Sequence, residues 1–399
     1  MQAVSETLTP ATLAIVQELA PAIRDALEDM DRERRLPARL AQAMAEAGIF
    51  RLGIPKRLGG NEADPATIVR TIEELSVIDG SVGWCAMISA LYGVFAGCLQ
   101  TDAAREIYGS DPHVITAGTF RPNGEAVSAE SGYRLTGRWP FASHCQNASW
   151  LVGGARIFDG DQPRLGSDGS AVWRLFFFPA ADCLIIDTWQ TAGLRGTGSH
   201  DFTVADLFVP AARSISFREP PVEPGPLYAL PLIAFFATGI AAVPLGIARH
   251  AIEILEELAG AKKPTWSQNL LREQPLAQAQ VGQAHALVRA GRALVYDTLA
   301  EAWRTVRAGG HLSLEQRAWL WLAATQASVM ASQAVDLMFT ARGATSVYAS
   351  AGLERCLRDV RTAAQHVTVI SNNYRTVGQA FLGLDVSATQ LSIDDRGDW

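Results

Sequence analysis

Every one of the 19 prolines in this 399-residue chain lies at or before Pro275, and the 124 residues after it have none. A proline inside a helix removes a backbone donor and clashes with the preceding turn, at a cost of about 3 kcal/mol. A long proline-free segment with apolar residues every three or four positions therefore predicts helix. In the last such segment, Leu353, Leu357, Val360, Ala364, Val367, Ile370, Tyr374, Val377 and Phe381 keep that spacing, which predicts one helix running from 353 to 381. The stretch 313–341 is apolar nearly all round, as expected of a helix buried among others. With helices predicted over 229–260 and 276–308, this makes four long antiparallel helices, which close most simply as a four-helix bundle.

The N-terminal hundred residues also carry helical spacing, over 9–30, 38–48, 65–78 and 82–98. Between about 113 and 217 the texture changes to short alternating runs at 133–141, 149–156, 173–178 and 201–209, separated by Gly, Asp and Pro turns. The patch at 163–170 reads as a hairpin loop. The expected organisation is mainly α with an inserted β domain: a helical domain over 1–112, a β domain over 113–217 and a C-terminal bundle over 218–399.

The formal net charge of −7, with acids and bases mixed along the chain, argues against a nucleic-acid surface. Five widely spaced cysteines, Cys85, Cys98, Cys145, Cys183 and Cys356, form no CxxC pair and no Cys/His ligand cluster, so reduced thiols in a cytoplasm are expected and no metal site is. The first thirty residues lack the basic-then-apolar pattern of a signal peptide. The apolar run Leu227–Ala248 is long enough to raise a membrane question, but Pro231, Gly239 and Pro244 favour a buried core helix. The glycine clusters at 57–61, 193–201 and 342–345 fit neither GxGxxG after a strand nor GxxxxGK[ST], so a Rossmann nicotinamide site is not expected.

Helices, a β domain and helices again, read with three motifs, resemble the acyl-CoA dehydrogenase fold over almost the whole chain. The sharpest motif is GRWPFASHCQNASW at 137–150, where Gly137 is followed by Phe141, Ser143 and Trp150 at the spacing of that family's flavin-facing segment. The resemblance implies that Phe141 lies against the flavin ring, with Ala142 beside it, and that the Ser143 hydroxyl bonds flavin N5. A second motif is GLRGTGSHDFTVADLFVP at 193–210. The third is Gly343-Ala344 with Ser346, followed by Arg358-Asp359. It implies a loop that contacts the cofactor's pyrophosphate side from a neighbouring subunit, hence a homotetramer.

Within that superfamily the chemistry divides on one group. Abstracting a proton beside a thioester carbonyl needs a carboxylate near the acyl chain. The family's usual position for it, eight residues after the Arg-Asp aspartate, is Val367 here, and the other position falls in 224–252, which contains no acid. The segment FRPNGEAV at 120–127 is also a poor match to the family's acyl-CoA-binding motif. His366 stands beside Val367 instead. This pattern resembles the two-component flavin-dependent monooxygenases of group D, in which the histidine lies near a C4a-hydroperoxyflavin and the substrate. The resemblance implies reduced FMN or FAD supplied by a separate flavin reductase, O2 as cosubstrate, a small aromatic substrate, and catalytic roles for His366 and Ser143. An acyl-CoA dehydrogenase or flavin oxidase with an atypical base, and a non-catalytic binding homologue, are the alternatives.

Among the remaining residues, Trp84 in GSVGW resembles a pocket-edge aromatic, and His144 either reaches the pocket or faces outward. Trp139, on the same strand as Phe141, is expected to face away from it, into the core. His200 is expected at the surface or as a cap. Lys262, Lys263 and Arg272 either hold flavin phosphate or form a solvated loop.

Overall fold

The computed structural model describes residues 10–392 apart from 167–168, 350–351 and 388. The first residue of the helix expected over 9–30 and the tip of the hairpin loop expected at 163–170 lie outside the described residues.

The chain begins with helices α1 (Pro10–Asp25), α2 (Leu27–Glu33), α3 (Ala38–Glu46), α4 (Pro65–Ile78), α5 (Gly80–Tyr92) and α6 (Thr101–Ala104). Eight strands follow: β1 (Thr116–Ala129), β2 (Gly132–Ala142), β3 (Trp150–Asp159), β4 (Gln162–Pro163), β5 (Trp173–Pro179), β6 (Leu184–Ile186), β7 (His200–Pro210) and β8 (Ser214–Ile215). They form one mixed sheet in the order β6-β7-β2-β1-β3-β5-β8, with β4 on β3. Only the β1–β3 pair is parallel among the described strands. The chain then returns to helix with α7 (Pro226–Ala229), α8 (Leu232–Ala259), α9 (Pro275–Arg307), α10 (Leu314–Arg342), α11 (Leu353–Ala363) and α12 (Asn373–Phe381).

Helix α8 is the hub, packing against α4, α5, α9, α10 and α11. It is long and apolar enough to cross a membrane, and 94% of its most apolar stretch is buried inside the fold. A buried ion cluster ties three helices together: the Glu73 carboxylate on α4 meets Arg249 on α8 at 2.8 Å and Arg292 on α9 at 2.7 Å, and accepts the Tyr296 hydroxyl at 2.7 Å. Taking Glu73 fully out of water is tolerable only because these partners surround it.

The C-terminal segment departs from the single helix expected over 353–381. Helix α11 stops at Ala363, the chain turns through 364–372, and α12 starts at Asn373. Four β-branched residues in a row, Val367, Thr368, Val369 and Ile370, precede Ser371, Asn372 and Asn373. All of these have weak helix propensity. His366 adds a local competitor, because its Nδ1 accepts from the Thr368 backbone N–H at 3.3 Å and bonds the Thr368 hydroxyl at 2.9 Å. His366 therefore stands on a turn rather than at the helical position that its spacing predicts, and Val367 is half exposed instead of packing in a stripe.

Candidate active site

The site is built around the end of β2. Between Trp139, paired with Phe202, and Ala142, paired with His200, two residues of β2 face one of β7, a bulge that bends the strand. Trp139 points inward, fully buried and stacked on Phe202. Phe141 points outward, with 58% of its surface exposed, and Ala142 is buried again. Phe141 and His144 take positive φ angles of 62° and 67°, which non-glycine residues adopt at a cost. This strained pair brackets Ser143 and holds an exposed aromatic face one step from a buried hydroxyl. The Phe141 ring also meets Trp189 edge-on at 6.4 Å, and the Arg121 guanidinium lies 5.8 Å from its centre.

Trp84 reaches Ser143 from the fully buried helix α5, whose N-terminus is capped by the Asp79 carboxylate accepting from the Ser81 and Val82 N–H groups. The Trp84 indole N–H donates to Ser143 Oγ at 2.9 Å. The same indole ring lies 5.7 Å from the His366 ring in an edge-on arrangement. Thus residues 84, 143 and 366, distant in sequence, converge on one spot.

The loop that carries His366 is pinned by buried Asn373, whose amide donates to the Val367 carbonyl at 3.3 Å and to Thr325 Oγ1 at 3.2 Å. Because His366 Nδ1 accepts from a backbone N–H, the neutral ring carries its proton on Nε2. Burial first, and the Arg121 charge second, push its pKa down to about 4, so the ring is neutral near neutral pH. His144 is driven lower, to about 3, by burial alone. Its Nδ1 bonds Ser89 Oγ at 3.1 Å and its ring packs on Phe50, so it faces inward.

A turn between β6 and β7 closes the other side. Ser143 Oγ is 2.6 Å from Ser199 Oγ, Ser199 Oγ is 2.7 Å from Thr197 Oγ1, and Thr197 Oγ1 donates to the Leu194 carbonyl at 2.8 Å. The Leu194 N–H donates to the Asp359 carboxylate at 2.6 Å. Gly193 has no alternative here, since a Cβ would sit 2.1 Å from the Arg358 carbonyl oxygen. Asp359 and Asp79 are both buried, and the partly buried Arg355 bridges to Asp79 at 2.8 Å. Burial and the Asp79 charge push the Asp359 carboxyl above the usual range, with Arg355 pulling the other way.

His200 is buried rather than on the surface. Its Nδ1 accepts from the backbone N–H groups of Thr188 and Trp189, at 3.1 and 3.2 Å.

Gly343, Ala344 and Ser346 stay apart from this cluster: among the described residues, no hydrogen bond or ring contact joins them to Phe141 or Ser143. The Ser346 hydroxyl turns back on the Phe339 and Gly343 carbonyls, both at 2.6 Å. Gly343 has a φ of 76° and open space where a Cβ would lie. Lys262 donates to Thr345 Oγ1 at 2.6 Å and to the Arg342 carbonyl, bracing this loop.

An exposed aromatic face next to a buried hydroxyl fits a flat heterocycle with a polar edge. A flavin has that shape. Residues missing from the sequence reading are Ser199 and Thr197, which lie inside the 193–210 motif but have no periodicity to reveal their role, and Arg121.

Comparison with known proteins agrees with this geometry. Residues 13–104 match the acyl-CoA dehydrogenase N-terminal domain and residues 238–370 its C-terminal domain. The chain is 31% identical to an indole-3-acetate monooxygenase of Pseudomonas putida, over 92% of this chain and 93% of that one. It is 28% identical to the flavin-dependent monooxygenase oxygenase subunit HsaA of Mycobacterium tuberculosis, over 92% and 93%. The structure of XiaF from a Streptomyces species, in complex with FADH2 and glycerol, superposes with a TM-score of 0.86 at 27% identity, covering 94% of this chain and 95% of that one. Imidazole in place of a carboxylate, an aromatic face beside Ser143, and these relatives lead to one assignment: the chain belongs to the flavin-dependent monooxygenases of the acyl-CoA dehydrogenase fold, as an oxygenase component.

Proposed function

We propose that this oxygenase inserts one atom of O2 into a small aromatic molecule, using FMN or FAD that a separate reductase delivers already reduced. The reduced flavin supplies two electrons; one oxygen atom enters the substrate and the other leaves as water. The observation that carries this reading is the convergence of Trp84, Ser143 and neutral His366 beside an exposed aromatic face. Indole-3-acetate as the named substrate of one relative supports an aromatic substrate class.

Each residue has a role that follows from its chemistry. Phe141 offers the flat surface for the isoalloxazine, and Ser143 the polar contact at its N5 edge. Ala142, small and buried, keeps that strand close behind them. His366 holds an Nε2–H donor for the reacting oxygen or a substrate hydroxyl. Trp84 shields that donor from water, which protects the reaction from losing its oxygen as peroxide. His144, turned toward Ser89 and Phe50, supports the Ser143 turn from behind.

Gly343, Ala344 and Ser346 then serve the cofactor of a neighbouring copy, as the family resemblance implies, and their bonds within their own chain are local ones that brace the loop. That arrangement favours a homotetramer, and the five free thiols favour a cytoplasmic setting for it.

The test mixes the protein and reduced FMN or FAD with isotope-labelled O2 and a panel of phenols and indoles. The expected result is a product carrying one labelled oxygen atom. Recovery of all the oxygen as hydrogen peroxide across the panel overturns the reading.

A further inference from the structure

Ser143, Ser199 and Thr197 form a buried line of hydroxyls, each 4% exposed or less. A hydroxyl has one proton to give and two lone pairs to receive with. The two ends of this line are fixed by groups that have no choice: the Trp84 indole N–H only donates, and the Leu194 carbonyl only accepts.

These ends set every proton between them. Thr197 gives its proton to the Leu194 carbonyl at 2.8 Å, which leaves it only lone pairs for Ser199. Ser199 therefore donates to Thr197 at 2.7 Å, and Ser143 donates to Ser199 at 2.6 Å. Trp84 occupies one Ser143 lone pair at 2.9 Å. What Ser143 has left to offer is its second lone pair. Reversing the line would free the Ser143 proton, but only by giving up the Thr197 bond to Leu194.

We propose that Ser199 and Thr197 are positioning residues that fix Ser143 as a hydrogen-bond acceptor, and so make the site select reduced over oxidised flavin. This rests on the reading above, that Ser143 meets flavin N5. In reduced flavin N5 carries a hydrogen and is a donor; in oxidised flavin it is a bare acceptor that meets lone pair against lone pair. The wiring thereby favours capture of reduced flavin and release of the oxidised form, which a chain supplied with flavin from a separate reductase needs at every turnover. Asp359 supports the far end by accepting the Leu194 N–H, which anchors the residue whose carbonyl receives the Thr197 proton.

The experiment measures dissociation constants of FMN and FAD, each oxidised and anaerobically reduced, for the wild type and for Ser199→Ala, Thr197→Val and Ser199→Thr. The wild type should bind reduced flavin more tightly. The oxidised-to-reduced ratio should fall roughly tenfold in Ser199→Ala and Thr197→Val, the scale of one hydrogen bond, and the bound two-electron potential should drop by about 30 mV with it. Ser199→Thr keeps a hydroxyl and should keep the ratio.

A purely structural role would weaken both redox states together. An unchanged ratio in Ser199→Ala and Thr197→Val overturns the proposal, as does a wild type with no preference for reduced flavin. If one of the two variants fails to fold, the other decides on its own. Failure of the wild type to bind either flavin in either state overturns the proposed function as well, so the two outcomes are distinct.

Discussion

The Leu194 backbone N–H binds the Asp359 carboxylate at 2.6 Å across 165 positions of sequence. This bond, with the Arg358 guanidinium donating to the Ala192 carbonyl beside it, joins the turn that carries Thr197 and Ser199 to the helix that leads into the His366 loop. Asp359→Ala leaves the Leu194 N–H buried without its acceptor, while Arg355 keeps Asp79 at 2.8 Å, and should cost about 1–3 kcal/mol in urea unfolding. Asp359→Asn keeps an acceptor for Leu194 and loses only the charge, so its cost should be clearly smaller. Equal losses in the two variants would mean that the Leu194 contact carries no stability.

Trp84 contributes two separable things, a ring beside His366 and an N–H for Ser143. Trp84→Phe keeps most of the apolar shield and deletes the donor. A lost bond of this kind costs about 1 kcal/mol of stability. The larger expected effect is functional: Ser143 is then held only by its bond to Ser199, and more hydrogen peroxide should be released per O2 consumed. Peroxide assays at saturating reduced flavin measure this directly. A yield equal to that of the wild type would show that the N–H is dispensable.

Acid should destabilise this protein through its buried imidazoles. His144 has a pKa near 3 in the fold, against about 6.5 when unfolded. The folded state therefore refuses a proton that the unfolded state accepts. Its stability is intact above about pH 6.5 and falls by about 1.4 kcal/mol per unit as pH drops toward 3. His200, His250 and His366 are shifted in the same direction, each first by burial. In His144→Asn, the stability lost between about pH 7 and pH 5 should be smaller than in the wild type by about 2 kcal/mol. Denaturation midpoints at the two pH values check this, and parallel losses would show that His144 is not the group responsible.

The Arg121 charge helps to hold His366 neutral. Replacing it by Arg121→Gln removes that contribution, so the His366 pKa should rise and the acid limb of the oxygenation rate should move to higher pH. His366→Ala should lower oxygenation while leaving reduced-flavin binding nearly unchanged. A pH profile that stays put in Arg121→Gln would separate the two residues.

Much of this arrangement was legible because it depends on period. The proline-free segment yielded α9 and α10, whereas alternation alone would put Trp139 and Phe141 on one face of β2, and it is the bulge that leaves Trp139 inside and Phe141 outside. The break at 364–372 was hidden because apolar spacing stays in helical phase across it, while the physical cause lies in propensity: a β-branched run, two asparagines and a histidine that bonds its own backbone two residues on. The hydroxyl line was hidden for another reason. Ser143 and Ser199 are 56 residues apart, and only the pairing of β2 with β7 makes them neighbours. No local pattern encodes such a meeting.

The loop from Gly343 onward makes the last prediction. Val347 and Tyr348, directly after it, are about two-thirds exposed, a poor use of apolar surface in a lone chain. If this face docks against another copy, as the proposed tetramer requires, a charge there is costly in the assembly and harmless in the free subunit. Val347→Asp with Tyr348→Asp should reduce the mass seen by light scattering while leaving far-UV circular dichroism unchanged. Flavin affinity should fall together with the mass, although Phe141 and Ser143 are untouched, because the loop would no longer reach its neighbour's cofactor. Dissociation with undiminished flavin binding would show that each chain holds its flavin alone.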